Sequence, residues 1–177
     1  MSFQDIPVYK PKPYQKASEL SGAKPARHPF VIVGSGPIGL ALALALARKD
    51  HQVTIVTAFD FIPAGSKGIC YSKESLDIFD RLGIGHRVVE KGVIWNVGKV
   101  FWGENPDPVY QFDMLPVKDQ KNPGFVNIQQ YYVEDYLVDA LERLDNVDIR
   151  WGHAVSGMEL RDEGATLRMA TRDGEYD

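Results

Sequence analysis

Short apolar runs alternate with polar, glycine- or proline-rich breaks along this chain, and that rhythm predicts its elements. Residues 30–34, FVIVG, form a β-rich run closed by glycine, the pattern of a strand buried on both faces. Residues 37–50, PIGLALALALARKD, open on a proline, which is tolerated at the first helical position because the missing N–H has no partner there. The Leu/Ala alternation from Leu40 to Ala47 imitates a strand period. Length and propensity still predict a helix, since Leu and Ala rank highest as helix formers. Being apolar all round, that helix is expected to be buried on most sides. Residues 52–57, QVTIVT, predict a second buried strand. Strand, tight turn, helix and strand make a βαβ unit, whose crossover is right-handed and whose strands are parallel.

Beyond a loop, FDFIPAGSKGICY, Ser72 is placed to cap a helix through KESLDIFDRLG, with Leu76, Phe79 and Leu82 on one face and Gly83 as its stop. Strand-like pieces follow in VIWNVGKVFW, PVYQF and GFVNIQ, punctuated by Pro106, Pro108, Pro116 and Pro123. An amphipathic helix then carries Val133, Leu137, Ala140, Leu141 and Leu144 at helical spacing. VDIRW predicts a strand, and the remainder predicts a β-meander with Asp-Glu-Gly and Asp-Gly turns. A strand is expected after the last of these turns, so the chain is read as the N-terminal portion of a larger domain. Residues 1–28 hold Pro7, Pro11, Pro13 and Pro25 without periodicity, and predict an extended leader packed on the domain surface. The expected class is α/β: a Rossmann-like βαβ unit with a parallel sheet plus an antiparallel β-meander, incomplete. The expected division is a leader, 1–28, and a domain portion, 29–177.

Composition changes this picture little. Of the 177 residues 44% are hydrophobic and 25% charged, as in ordinary globular proteins. A net charge of −4 argues against a nucleic-acid binder. The leader carries Lys10, Lys12, Lys16, Lys24 and Arg27 against Asp5 and Glu19, a local +3 that leaves −7 on the rest; charges scattered among prolines suit a solvated tail. One cysteine, Cys70, forbids an internal disulfide, fits a reducing compartment, and is read as a small buried or half-buried residue. The N-terminus has no apolar signal core, and the apolar run Ile38–Ala47 has ten residues where a membrane span needs about 20. The expectation is a soluble, cytoplasmic protein with no membrane partner. His28, His51, His86 and His153 are not spaced as metal ligands, and read as structural or exposed.

The candidate chemistry lies in Gly34-Ser35-Gly36-Pro37-Ile38-Gly39, which fits G-x-G-x-x-G between a strand and a helix. Gly34 makes the tight turn, Gly36 lets a pyrophosphate approach the backbone, and Gly39 lets the helix pack on the strands. The helix start offers N–H groups and the positive end of its dipole. No Gly-Lys-Ser/Thr closes the motif, which excludes a P-loop. Eighteen residues past Gly39, where an acid for ribose hydroxyls is expected, stands Thr57, which has one hydroxyl to give. Asp60 is the alternative, with a solvated loop aspartate as the competing reading. No arginine is placed for a 2′-phosphate.

In this order the pieces resemble the N-terminal part of the FAD-dependent aromatic-ring monooxygenases, the single-component flavoprotein hydroxylases, in their phenol and 3-(3-hydroxyphenyl)propionate hydroxylase branch. The residues that carry the resemblance are VIVGSGPIGLALALALA, GSKGICYSKESLDIFDRLGI, IQQYYVEDYLVDAL and VDIRWGHAVSGMELRDEGATLRM, covering about Phe30 to the end. The resemblance implies FAD, with the motif residues Gly34 to Gly39 on its pyrophosphate. Thr57 stands where the family usually has Glu for the adenosine ribose, and Ala58 where an Arg often follows. Lys67 falls where an Arg commonly sits near the diphosphate, Gln130 where a Gln reaches the ribityl or phosphate region, and Val155 where a backbone contact to adenine is usual. An exposed loop lysine and a helix-capping Gln, with Gln129 beside it, are the competing readings for Lys67 and Gln130.

The resemblance also implies NADH or NADPH as reductant, O2 as oxygen donor and a small aromatic substrate. It leaves room for a homodimer. The cofactor would carry the hard chemistry, so few acid–base residues need be visible, and no catalytic residue is assigned. The family's later Asp-Gly and Gly-Asp segments have no counterpart here, so these residues alone are not expected to hydroxylate anything. Two other readings stay open: another FAD- or NAD-dependent oxidoreductase of the same fold, and a non-catalytic fragment. Trp95, Trp102, Tyr110 and Phe112 are candidates for a substrate pocket, with strand packing in the core as the favoured alternative.

Overall fold

The computed structural model describes residues 11–22, 24–63, 65 and 67–177. Its strands, in chain order, are β1 (Phe30–Val33), β2 (Val53–Thr57), β3 (Cys70–Ser72), β4 (Val93–Trp95), β5 (Val97–Val100), β6 (Tyr110–Asp113), β7 (Phe125–Asn127), β8 (Val147–Trp151), β9 (Ala154–Arg161), β10 (Gly164–Thr171) and β11 (Gly174–Tyr176). Its α-helices are α1 (Pro37–Ala47), α2 (Lys73–Arg81), α3 (Gly85–Lys91) and α4 (Gln130–Leu141). The chain divides into two compact units: residues up to Gly65 with Glu134–Asp177, and Ser66–Val133.

The first unit contains the expected βαβ. β1 and β2 are parallel with Phe30 opposite Val53, and β8 joins the other side of β2 in parallel, giving the order β1-β2-β8. β2 is buried along its whole length. β1 is not the doubly buried strand that its composition predicts. It lies at the sheet edge, and Phe30, Val31 and Val33 are exposed. The helix likewise buries one side only: Leu40, Ala43, Leu44 and Ala47 are covered, while Ile38 and Leu42 are exposed. Uniform hydrophobicity thus gave no face to read, and packing chose one. β9, β10 and β11 form the predicted antiparallel meander.

In the second unit β3-β7-β4 make one antiparallel sheet and β5-β6 a two-stranded ribbon. Gly83, at φ +76°, ends the turn after α2 as predicted, with the Ile84 N–H returning to the Phe79 carbonyl. Ser72 stands at the N-cap of α2, but its hydroxyl goes to the Glu74 side chain and makes no cap bond. Phe112 lies flat over Gly98, where any Cβ would collide with its ring.

Several leader residues pack in the first unit, although most of the described ones are exposed. Lys12 pairs with Glu142 at 2.8 Å, Tyr14 stacks on His153, and Ala17 and Glu19 are buried. Arg150 of β8 is the hub. Its Nε donates to Asp148 at 2.8 Å, Nη1 to Glu19 at 3.3 Å and to the Tyr176 hydroxyl at 3.4 Å, and Nη2 to His28 Nε2 at 3.3 Å. His153 Nε2 donates to the Gln15 carbonyl at 3.0 Å, which leaves Nδ1 to accept from Tyr176 at 2.7 Å. Two of the four histidines are therefore structural parts of one network. Burial pushes the His153 imidazole below its ordinary value, and nearby Arg150 adds to the fall. Burial alone would raise Glu19, but its own backbone N–H and Arg150 bring the carboxyl below the usual range.

Both shifts have one sign: the unfolded chain, with its imidazole and carboxyl free, binds protons more readily at His153 and Glu19 than the folded one. The contribution of these two groups to stability is complete above the ordinary imidazole range and falls as pH drops through about 6.5 and then through the carboxylate range. The denaturant midpoint of unfolding should therefore be lower at pH 5.5 than at pH 7.5, as measured by parallel titrations at the two pH values. Equal midpoints would contradict this account of the two groups.

Candidate functional site

The glycine turn joins β1 to α1, and its three glycines meet three different constraints. Gly34 has φ +103°, a conformation that costs a residue with a Cβ about 1–2 kcal/mol, and its N–H is held by the Val56 carbonyl at 2.8 Å. Gly39 touches the strand: a Cβ there would lie 2.5 Å from the Gly34 carbonyl oxygen and 3.2 Å from Ile32. Gly36 is the N-cap of α1, with ordinary extended dihedrals, and a Cβ there would meet nothing within 4 Å. Its smallness answers no demand of this structure's packing.

The open side of Gly36 is the mouth of the helix. Pro37 occupies the first turn, no side chain caps the N-terminus, and no acidic residue stands in that turn. The helix dipole therefore presents its positive end unopposed. Ile38 beside it is 82% exposed. These features suit an anion that approaches the main chain closely.

The far end of β2 is tied to the turn. Ser35 Oγ and Thr57 Oγ1 lie 3.0 Å apart, both buried, so the threonine hydroxyl expected for a ribose is directed at the turn itself. The Thr57 carbonyl accepts from the His153 N–H at 2.8 Å. Ala58 is exposed just beyond. Asp60 is exposed and its carbonyl takes the Lys12 N–H. Val155 pairs with Met169 while Gly157 pairs with Arg168, so Ser156 is the extra residue of a β-bulge. The bulge interrupts the ladder beside Val155, where a backbone contact is expected, and nothing in the local sequence signals it.

The turn leaves the strand through Gly34, opens at Gly36 and closes against Gly39. A family model described as an FAD binding domain matches residues 27–177. The chain belongs to the FAD binding domain family. The residues present fit FAD, because its diphosphate needs an acid-free helix mouth and an unhindered backbone, and Gly36 offers both. The chain is 25% identical over 145 residues to a para-nitrophenol 4-monooxygenase from Pseudomonas sp. (strain WBC-3), covering 81% of this chain and 36% of that protein. It is 33% identical over 129 residues to a 3-(3-hydroxy-phenyl)propionate/3-hydroxycinnamic acid hydroxylase from Mycolicibacterium gilvum (strain PYR-GCK), covering 70% and 21%. The crystal structure of p-nitrophenol 4-monooxygenase from Pseudomonas putida DLL-E4 superposes with a TM-score of 0.76 at 23% identity, over 84% of this chain and 38% of that one. The chain thus spans about a fifth to two fifths of these relatives.

The remaining candidates of this FAD binding domain lie in the second unit. Lys67 is in the loop before β3, and Gln130 begins α4; a Cβ on Gly68 would meet Gln130 Oε1 at 3.4 Å, so this amide lies against the loop that carries Lys67. Cys70 is exposed, where a buried or half-buried position was expected, because β3 is three residues long and shows one face to solvent. The four aromatic residues do not form a core. Trp95 packs on Phe125 and donates to Asn127 at 2.9 Å, Phe112 covers Gly98, and Tyr110 and Trp102 are 61% and 79% exposed. A recess of about 520 Å³ in this unit is lined instead by residues including Met114, Leu115, Pro116, Val117 and Phe125. Among the described residues no group of His, Cys, Asp and Glu could hold a metal, and no helix is long and apolar enough to cross a membrane.

The turn's geometry separates folding from binding. Gly39→Ala should lower stability by roughly 1–3 kcal/mol, as overpacked cores do, whereas Gly36→Ala, with open space for its Cβ, should lose less than about 1 kcal/mol, the usual scale for alanine at an N-cap. Denaturant unfolding of the two variants checks this, and equal losses would refute it.

Proposed function

We propose that the protein carrying this chain is a monooxygenase that hydroxylates a small aromatic substrate, using FAD, NADH or NADPH, and O2. The carrying observation is the open, acid-free approach to Gly36 within an FAD binding domain. The relatives support the reaction class, since their names attach a nitrophenol and a hydroxyphenyl acid to proteins of this family. Bound FAD would accept hydride from the nicotinamide and activate oxygen; the chain's own part is to bind and place it.

In this reading residues 1–28 are the leader, and 29–177 are the N-terminal portion of the FAD-binding domain. The stretch Gly34, Ser35, Gly36 and Pro37 lines the approach of the diphosphate, and the N–H groups of Ile38 and Gly39, past the donor-less Pro37, receive it. Thr57 and Ala58 mark the adenosine side without a carboxylate, and Val155, beside the bulge, is the main-chain position proposed for adenine. The roles of Lys67, as a point charge for phosphate, and of Gln130, toward the ribityl chain, rest on the resemblance and are proposed for each by itself.

The purified protein should carry the yellow flavin absorbance. Gly36→Ala should hold FAD at least tenfold more weakly while melting normally, and NADH oxidation should accelerate when a phenol is added. Absence of flavin binding in the parent protein would overturn the cofactor reading. Flavin binding with NADH oxidation indifferent to every phenol tried would overturn the reaction class.

A further inference from the structure

Thr57 stands where a ribose-binding acid is expected, yet its hydroxyl is buried and faces the glycine turn. Gly34 and Ser35, consecutive in the turn, are tied to Val56 and Thr57, consecutive at the end of β2. The first tie is main chain, Gly34 N–H to the Val56 carbonyl at 2.8 Å; the second is side chain, Ser35 Oγ to Thr57 Oγ1 at 3.0 Å. One bond would fix the turn's distance from the strand and leave it free to swivel. Two adjacent bonds also fix its rotation. Thr57 is well suited to the second: its β-branch stiffens χ1, its carbonyl is held by the His153 N–H at 2.8 Å, and its burial excludes competing water. The turn has need of such a tie, because Gly34 leaves the strand at positive φ and no side chain caps the helix at Gly36. The aim of the amides beyond Gly36 then depends on the path of residues 34–36 as well as on the packing of α1 at Gly39.

We propose that Ser35 and Thr57 form a hydroxyl latch that positions the glycine turn for a diphosphate, and that Thr57 acts through Ser35 and not by holding the ribose. This deepens the cofactor reading above and rests on it.

The test measures binding of ADP and of 2′,3′-dideoxy-ADP to flavin-free protein, as parent, Ser35→Ala, Thr57→Val, the double variant and Thr57→Ser. Loss of the latch should weaken ADP binding about three- to tenfold in each single variant, the scale of one buried hydrogen bond. The double variant should be no weaker than the poorer single one, because both remove the same bond. The preference for ADP over the dideoxy analogue should be unchanged in Thr57→Val, and Thr57→Ser should bind nearly as the parent does. A multiplied loss in the double variant, or a preference for ADP that vanishes in Thr57→Val, would overturn the latch and return Thr57 to the ribose. Unaltered ADP binding in both single variants would overturn it too. Should a single variant unfold, Thr57→Ser still decides, since a folded Thr57→Ser protein that binds ADP tenfold more weakly contradicts the proposal. Failure of the parent to bind either ADP or FAD would remove the cofactor reading, and the latch with it.

Discussion

The distance between α1 and β1 is set by a missing methyl group. At Gly39 the helix comes so near the Gly34 carbonyl that a Cβ would sit 2.5 Å from its oxygen. That approach lets Leu40 and Leu44 reach full burial in the first unit, each contributing about 1.5–3 kcal/mol by leaving water. It also forces the chain to reverse within three residues, which is why Gly34 adopts positive φ and why the helix begins with backbone, not side chains, at its mouth. Packing and anion-facing geometry are thus two results of one close contact, made at different residues.

Much of this was legible in the sequence, for a physical reason. A glycine turn between a β-rich run and a string of Leu and Ala leaves few arrangements that satisfy the backbone, so β1 and β2 fall within one residue of their expected bounds and α1 ends three residues early. The meander was legible because Asp-Gly turns and alternation reinforce each other. Burial was less legible. The apolar strand β1 and the uniformly apolar α1 give no sign of which side lies open, because that depends on neighbours distant in sequence. Tyr110 and Trp102 looked like core by size and proved exposed, since a two-stranded ribbon covers little.

The candidate site shows the same division. The three glycines could be given separate tasks from spacing alone. The partnership of Ser35 with Thr57 could not, because it spans 22 residues and joins two residue types that are ordinary in turns and strands. The Ser156 bulge was equally silent, being a matter of register between strands. Thr57 registered as one hydroxyl in place of an acid, and its contact with Ser35 emerged only from the fold.

The leader has the composition of a disposable tail and the connections of a keystone. A protein engineer trimming this chain to its matched region would begin at residue 27. That cut discards Glu19, the carboxylate facing Arg150, and the Gln15 carbonyl that receives the His153 proton. Arg150 would keep Asp148, Tyr176 and His28 but lose its buried carboxylate, the His153 Nε2–H would lose its acceptor, and a domain shortened for convenience would be weaker for reasons invisible in its alignment.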